Sequence, residues 1–158
     1  MKIIVMEICF FFDPCQLGQV KVLFVAIMIS LFSFLSSTQA LELGEPLPNL
    51  TLPDQGGEMI SLNDFQEEPY VLVFFYPKAD TPGCTKQACS LRDAYDQLTG
   101  HGVRILGISG DSVQSQKAFA EKFSLPYTLL ADEAGEGMKA FEVPSMGKFA
   151  KRQAFLFK

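Results

Sequence analysis

From residue 47 onward the apolar positions fall into short runs and helical stripes separated by turn residues. Leu47-Pro48-Asn49-Leu50-Thr51-Leu52 and Glu58-Met59-Ile60-Ser61-Leu62 flank Asp54-Gln55-Gly56-Gly57, the pattern of a hairpin with a glycine turn. Asn63-Asp64-Phe65 suits a short helical turn. Residues 71–76 form an unbroken apolar run, as in a fully buried strand. The run stops at Pro77 and leads to Thr81-Pro82, an N-cap followed by a proline at the first helical position. On the helix this predicts, Cys84, Ala88, Leu91, Tyr95 and Leu98 recur at core-face spacing, and Gly100 ends it. Lys86, Cys89, Asp93 and Asp96 fall on its polar side.

Further along, residues 103–109 read as a second strand. Asp111 or Ser112 then caps a helix running to about Phe123, with Val113, Phe119, Ala120 and Phe123 turned inward. Residues 127–130 read as a third strand, 132–141 as a short helix, 143–150 as loop and 152–157 as a last strand. Strands alternating with helices predict parallel βαβ units in a sheet covered on both faces, an α/β domain.

Residues 1–40 stand apart from this pattern. An apolar run at 22–35, broken only by Ser30 and Ser33, follows Lys21 and ends in Ser36-Ser37-Thr38-Gln39-Ala40. That is the form of a secretory signal peptide cleaved after Ala40, and the run is short for a membrane span. The expected location is therefore exported, periplasmic or secreted, with a membrane anchor as the alternative if the leader is retained. The acidic residues and Pro14 upstream of Lys21 do not suit a leader. The first nineteen residues are read as a misassigned extension, with translation starting at Val20, so Cys9 and Cys15 are given no role.

Composition narrows the class. With 158 residues, 48% of them hydrophobic, the chain can build one domain with a real core. A net charge of −5 gives no support for a nucleic-acid partner, and four cysteines are too few for a disulfide scaffold. One histidine and no CxxC speak against a zinc site, and no cofactor is expected.

The chemistry centres on Cys84, at the third position of the predicted helix, where free N–H groups and the positive end of the macrodipole converge. Bringing a thiol from about 8.5 to about 6 takes roughly 3.4 kcal/mol. A helix terminus supplies about 0.3–1 kcal/mol and at best about 2, so a cation from elsewhere is required. Lys86 points away, roughly 200° around the helix. Cys89 completes a CxxxxC spacing. On an intact helix the two Cα atoms stand roughly 8.6 Å apart, and a disulfide needs less than about 7 Å. The two thiols can join only if the helix unwinds.

These residues resemble the peroxiredoxins. Pro77-x-x-x-Thr81-x-x-Cys84 is similar to their PxxxTxxC signature, and Cys89 five residues later is similar to the bacterioferritin-comigratory-protein, or peroxiredoxin Q, subfamily. The resemblance extends over nearly all of 41–158, including FYPKADTPGCTKQACSLRD, VRILGISGD, FAEKFSLPYTLLAD and RQAFLF. It implies a thioredoxin-like fold, a central mixed sheet with flanking helices, and a thiol peroxidase acting on hydrogen peroxide and organic hydroperoxides. Cys84 would be the peroxidatic thiol, Thr81 would place its hydroxyl on thiolate and peroxide, and Pro77 would shape the pocket. Arg152 would be the missing cation, and Cys89 would resolve the sulfenic acid as an intramolecular disulfide. A thioredoxin-like reductant, a monomer and no stable membrane contact once the leader is removed complete the expectation.

Two features keep other readings open. The family continues beyond this point with another strand and a final helix, so the domain is expected to be incomplete, with one unpaired edge. An inactive remnant is the corresponding alternative. An exported thiol–disulfide oxidoreductase is the other, although that chemistry normally uses CxxC. At Thr81 a plain N-cap role competes with contact to substrate.

Overall fold

The structure is a computed structural model that describes residues 45–158; the expected leader and the reading of residues 1–40 lie outside the described residues. The domain opens with a hairpin of β1 (Thr51–Pro53) and β2 (Met59–Ser61). Asp54 shapes its turn, accepting the N–H groups of Gly56 and Glu58, and Gly57 takes φ 87°, a conformation open to glycine. A 3-10 turn follows at Leu62–Phe65.

The main sheet has the order β5-β4-β3-β8, from β3 (Tyr70–Phe75), β4 (Val103–Ser109), β5 (Thr128–Ala131) and β8 (Gln153–Phe157). The first three run parallel and β8 lies antiparallel to β3, so the sheet is mixed. Among the described residues β8 pairs only with β3 and forms one edge. At the other edge the Gln55 side chain acts as a stand-in strand: its Oε1 accepts from Leu129 N–H at 2.8 Å, and Asp54 bridges to Leu130.

Alternation along β3 divides the core. Val71, Val73 and Phe75 join Leu106, Ile108, Leu130, Phe155 and Phe157 on one face, beneath Leu52, Leu62, Met138 and Phe141. Phe74 and Tyr76 join Ile105, Leu129, Phe119 and Tyr127 on the other, beneath Cys84 and Ala88. Gly107 sits where the second face is tightest; a Cβ there would stand 2.7 Å from both Leu129 and Phe74 side chains.

The helices differ from expectation in three places. The first, α1 (Pro82–Asp93), breaks at Ala94 and resumes as α2 (Tyr95–Gly100). The inward stripe survives the break, since Leu91, Tyr95 and Leu98 still pack on the core. The helix ends at Gly100 as expected, with His101 as its C-cap and Gly102 after it at φ 76°, the left-handed value. Helix α3 (Val113–Phe123) begins as predicted, with Ser112 accepting the Ser115 N–H, but it also buries Gln116. Helix α4 (Glu136–Ala140) is shorter than predicted because the Asp132 carboxylate accepts the Gly137 and Met138 N–H groups and holds the preceding residues as a turn. The segment expected as loop carries a small hairpin, β6 (Ser145–Met146) and β7 (Phe149–Ala150).

Candidate active site

The site forms where β3 ends and α1 begins. Tyr76 N–H still bonds Ile108 C=O at 3.2 Å, after which the chain turns away from the sheet at Pro77. A buried carboxylate fixes the turn. Asp111 accepts Ala79 N–H at 2.7 Å and Ser109 O–H at 2.8 Å, and Gln116 donates to the same serine. Tyr76 donates to Gln116, and burial pushes the tyrosine hydroxyl well above its ordinary pKa. On the outside Lys122 pairs with Asp80 at 2.7 Å, and Asp80 takes φ 57°.

Pro82 opens the helix and Cys84 follows in its first turn, 3% exposed. Arg152 immediately precedes β8. Because β8 runs antiparallel to β3, with Gln153 opposite Phe75, its start lies at the end of β3 where α1 begins. Arg152 Nη2 donates to Cys84 Sγ at 3.3 Å, and Nη1 donates to Gln87 Oε1. The required cation is therefore present at the thiol, delivered by strand register from 68 residues along the chain. The sequence pattern does not single out Gln87, although three residues beyond Cys84 is the same helix face. Gly83 carries no local signal either. A Cβ there would stand 3.3 Å from Arg152 Nη2, so glycine gives the guanidinium its room.

Thr81 occupies the N-cap position, but its side chain makes no capping bond; its hydroxyl donates to Lys78 C=O at 3.0 Å, cross-linking the loop instead. Cys89 is half-buried on the intact helix, and both thiols are free. Pro77 borders an open apolar depression of about 410 Å³ with Pro144, Met146, Phe149, Ala150 and the Lys151 stem. Among the described residues no three His, Cys, Asp or Glu side chains converge to hold a metal ion.

A thioredoxin-like α/β sheet, a buried thiol at a helix start and a guanidinium on its sulfur define a class. Residues 43–158 match the AhpC/TSA family, and the chain belongs to that family, the peroxiredoxins. Within it the similarity is to peroxiredoxin Q and bcp proteins. The chain is 48% identical over 115 residues to chloroplastic peroxiredoxin Q of Triticum aestivum, covering 72% of this chain and 52% of that protein. It is 50% identical over 94 residues to a putative peroxiredoxin bcp of Coxiella burnetii, covering 60% and 62%. Peroxidoxin BcpB of Mycobacterium tuberculosis superposes with a TM-score of 0.67 at 37% identity, covering 72% of this chain and 77% of that one. The chain spans about half the length of the curated plant relatives it matches.

The relatives overturn the expectation of export. Those from plants are chloroplastic, and the Coxiella burnetii relative is a putative peroxiredoxin bcp. The expectation had rested on one apolar run and a small-residue ending, which report hydrophobicity and not destination. Among the described residues no helix is long and apolar enough to cross a membrane.

Proposed function

We propose that this chain is a thiol-dependent peroxidase, with residues 41–158 as its catalytic domain. The observation that carries the reading is the 3.3 Å contact from Arg152 Nη2 to the buried Cys84 Sγ at the start of α1. A guanidinium there favours the thiolate, the reactive form of cysteine. The Cys84 thiolate attacks the nearer peroxide oxygen, the O–O bond breaks, and the far oxygen leaves as alkoxide or hydroxide and takes up a proton. Cys84 becomes a sulfenic acid, and the peroxide is reduced to alcohol or water. Arg152 stabilises the developing charge, Gln87 holds Arg152, and Thr81 presents its hydroxyl to the incoming peroxide once its bond to Lys78 exchanges. The apolar depression beside Pro77 suits the carbon chain of an organic hydroperoxide. The relative from Xanthomonas campestris, at 29% identity, is a bacterioferritin comigratory protein with alkyl peroxide reduction activity.

Cys89 then attacks the Cys84 sulfenic acid, water leaves, and an intramolecular disulfide forms before further oxidation to sulfinic acid. A thioredoxin-like dithiol reduces it. Both thiols lie on one helix, so the cycle needs no second copy, and a monomer is the form proposed. The test is peroxide consumption with a dithiol reductant, compared with insulin reduction without peroxide. Turnover of peroxide that disappears in Cys84→Ser supports the reading. Insulin reduction without peroxide turnover assigns a thiol–disulfide oxidoreductase instead, and absence of both assigns an inactive remnant.

A further inference from the structure

We infer that Tyr127 and Arg92 are positioning residues for the second half of the cycle: they hold α1 to the sheet from Ala88 onward, so unwinding stops there and Cys84 travels to a stationary Cys89. The inference rests on the peroxidase reading above, and specifically on the pairing of Cys84 with Cys89.

The two halves of α1 are secured very differently. From Ala88 onward the ties are to other elements. Tyr127 O–H, buried, donates to Ala88 C=O at 2.8 Å, and Arg92 Nη1 donates to Phe123 C=O at 2.8 Å, one turn further on. Tyr127 is itself fixed. Its ring meets Phe74 edge-on at 5.8 Å and Tyr95 at 6.4 Å. Its own C=O accepts from Gln55, whose side chain also takes Leu129 N–H. Burial raises the hydroxyl's pKa well above its ordinary value, so it stays a donor across the working pH range.

The first half has no comparable anchor. Thr81 makes no capping bond to it, and Pro82 brings no N–H. Besides the packing of Cys84 on the core, what holds it from outside is Arg152, on Cys84 and Gln87. That tie is strongest while the sulfur is charged. Closing the roughly 8.6 Å gap requires changed dihedrals between Cys84 and Cys89. Turns beyond Ala88 can stay helical, and the Tyr127 bond marks the boundary.

The test is residue-resolved amide exchange by NMR on the full chain, reduced and after one equivalent of hydrogen peroxide, in the unaltered protein, Tyr127→Phe and Arg92→Gln. Mass measurement before exchange establishes whether the Cys84–Cys89 bond has formed. Expected is loss of protection at amides 85–89 on oxidation, with Arg92 and Asp93 still protected. Tyr127→Phe leaves Ala88 C=O its helical partner, and it should lower protection at Arg92 and Asp93 in the oxidised form by about fivefold, the worth of one hydrogen bond. Its rate of sulfenic acid formation should match the unaltered protein. Even loss of protection from 85 to 93 in the oxidised unaltered protein overturns the inference. So does full protection at 92 and 93 in both variants. If the mass shows no Cys84–Cys89 bond, the pairing itself is wrong and the inference falls with it.

Discussion

Replacing Arg152 by glutamine removes the positive charge from the sulfur while keeping a side chain of similar reach. At 3.3 Å the attraction between a guanidinium and a thiolate is about 1.3 kcal/mol with the dielectric of water and about 5 kcal/mol at an effective value of 20. Arg152 is exposed, so solvent screens the contact and the lower part of that range applies, about 1.4–2.7 kcal/mol. The loss corresponds to about ten- to a hundredfold in the rate of peroxide attack. The assay is quenched flow in a Cys89→Ser background, with sulfenic acid on Cys84 read by mass after dimedone trapping. Arg152→Lys should recover only part of the rate, because an ammonium is a point charge and does not span both Sγ and Gln87 Oε1 as the planar fork does. An attack rate for Arg152→Gln within twofold of its parent would refute the role given to the guanidinium.

Cys89→Ser should leave the first attack unchanged and abolish recycling by thioredoxin; normal recycling in a coupled turnover assay would place the resolving thiol elsewhere. Gly107→Ala forces a methyl to 2.7 Å from Leu129 and Phe74, and should cost about 1–3 kcal/mol in a urea melt through overpacking. Alkali should destabilise the fold through Tyr76 and Tyr127. Burial raises both folded-state pKa values above the ordinary 10.0, so the unfolded chain loses these protons first. Their contribution is fully present below pH 10 and is lost as pH rises above it, at about 1.4 kcal/mol per pH unit for each tyrosine. Urea melts at stepped alkaline pH measure the slope, which Tyr127→Phe should reduce.

Much of this arrangement could be read from local pattern. The strand at 71–76 and the Thr-Pro-Gly-Cys helix start follow from an apolar run and from N-cap and proline chemistry, both of which act over a few residues. Even the demand for a distant cation followed from the modest strength of a helix terminus. What escaped was set by long-range geometry. The break at Ala94 leaves the hydrophobic stripe intact, so periodicity could not reveal it. Gln116 is polar and buried because Tyr76, Ser109 and Leu130 C=O surround it, partners that meet only in the folded sheet. Gln87 and Gly83 matter because the register of β8 on β3 brings Arg152 over them. Thr81 held the predicted position, yet its hydroxyl turned to Lys78 C=O, a choice between local acceptors that spacing does not decide.

The most direct test of the account is mass spectrometry of the intact chain before and after one equivalent of hydrogen peroxide, followed by peptide mapping. The account predicts loss of two hydrogens and a linked peptide joining Cys84 to Cys89. A product in which Cys84 is still reduced, or in which Cys89 remains free to alkylate beside an oxidised Cys84, would contradict it.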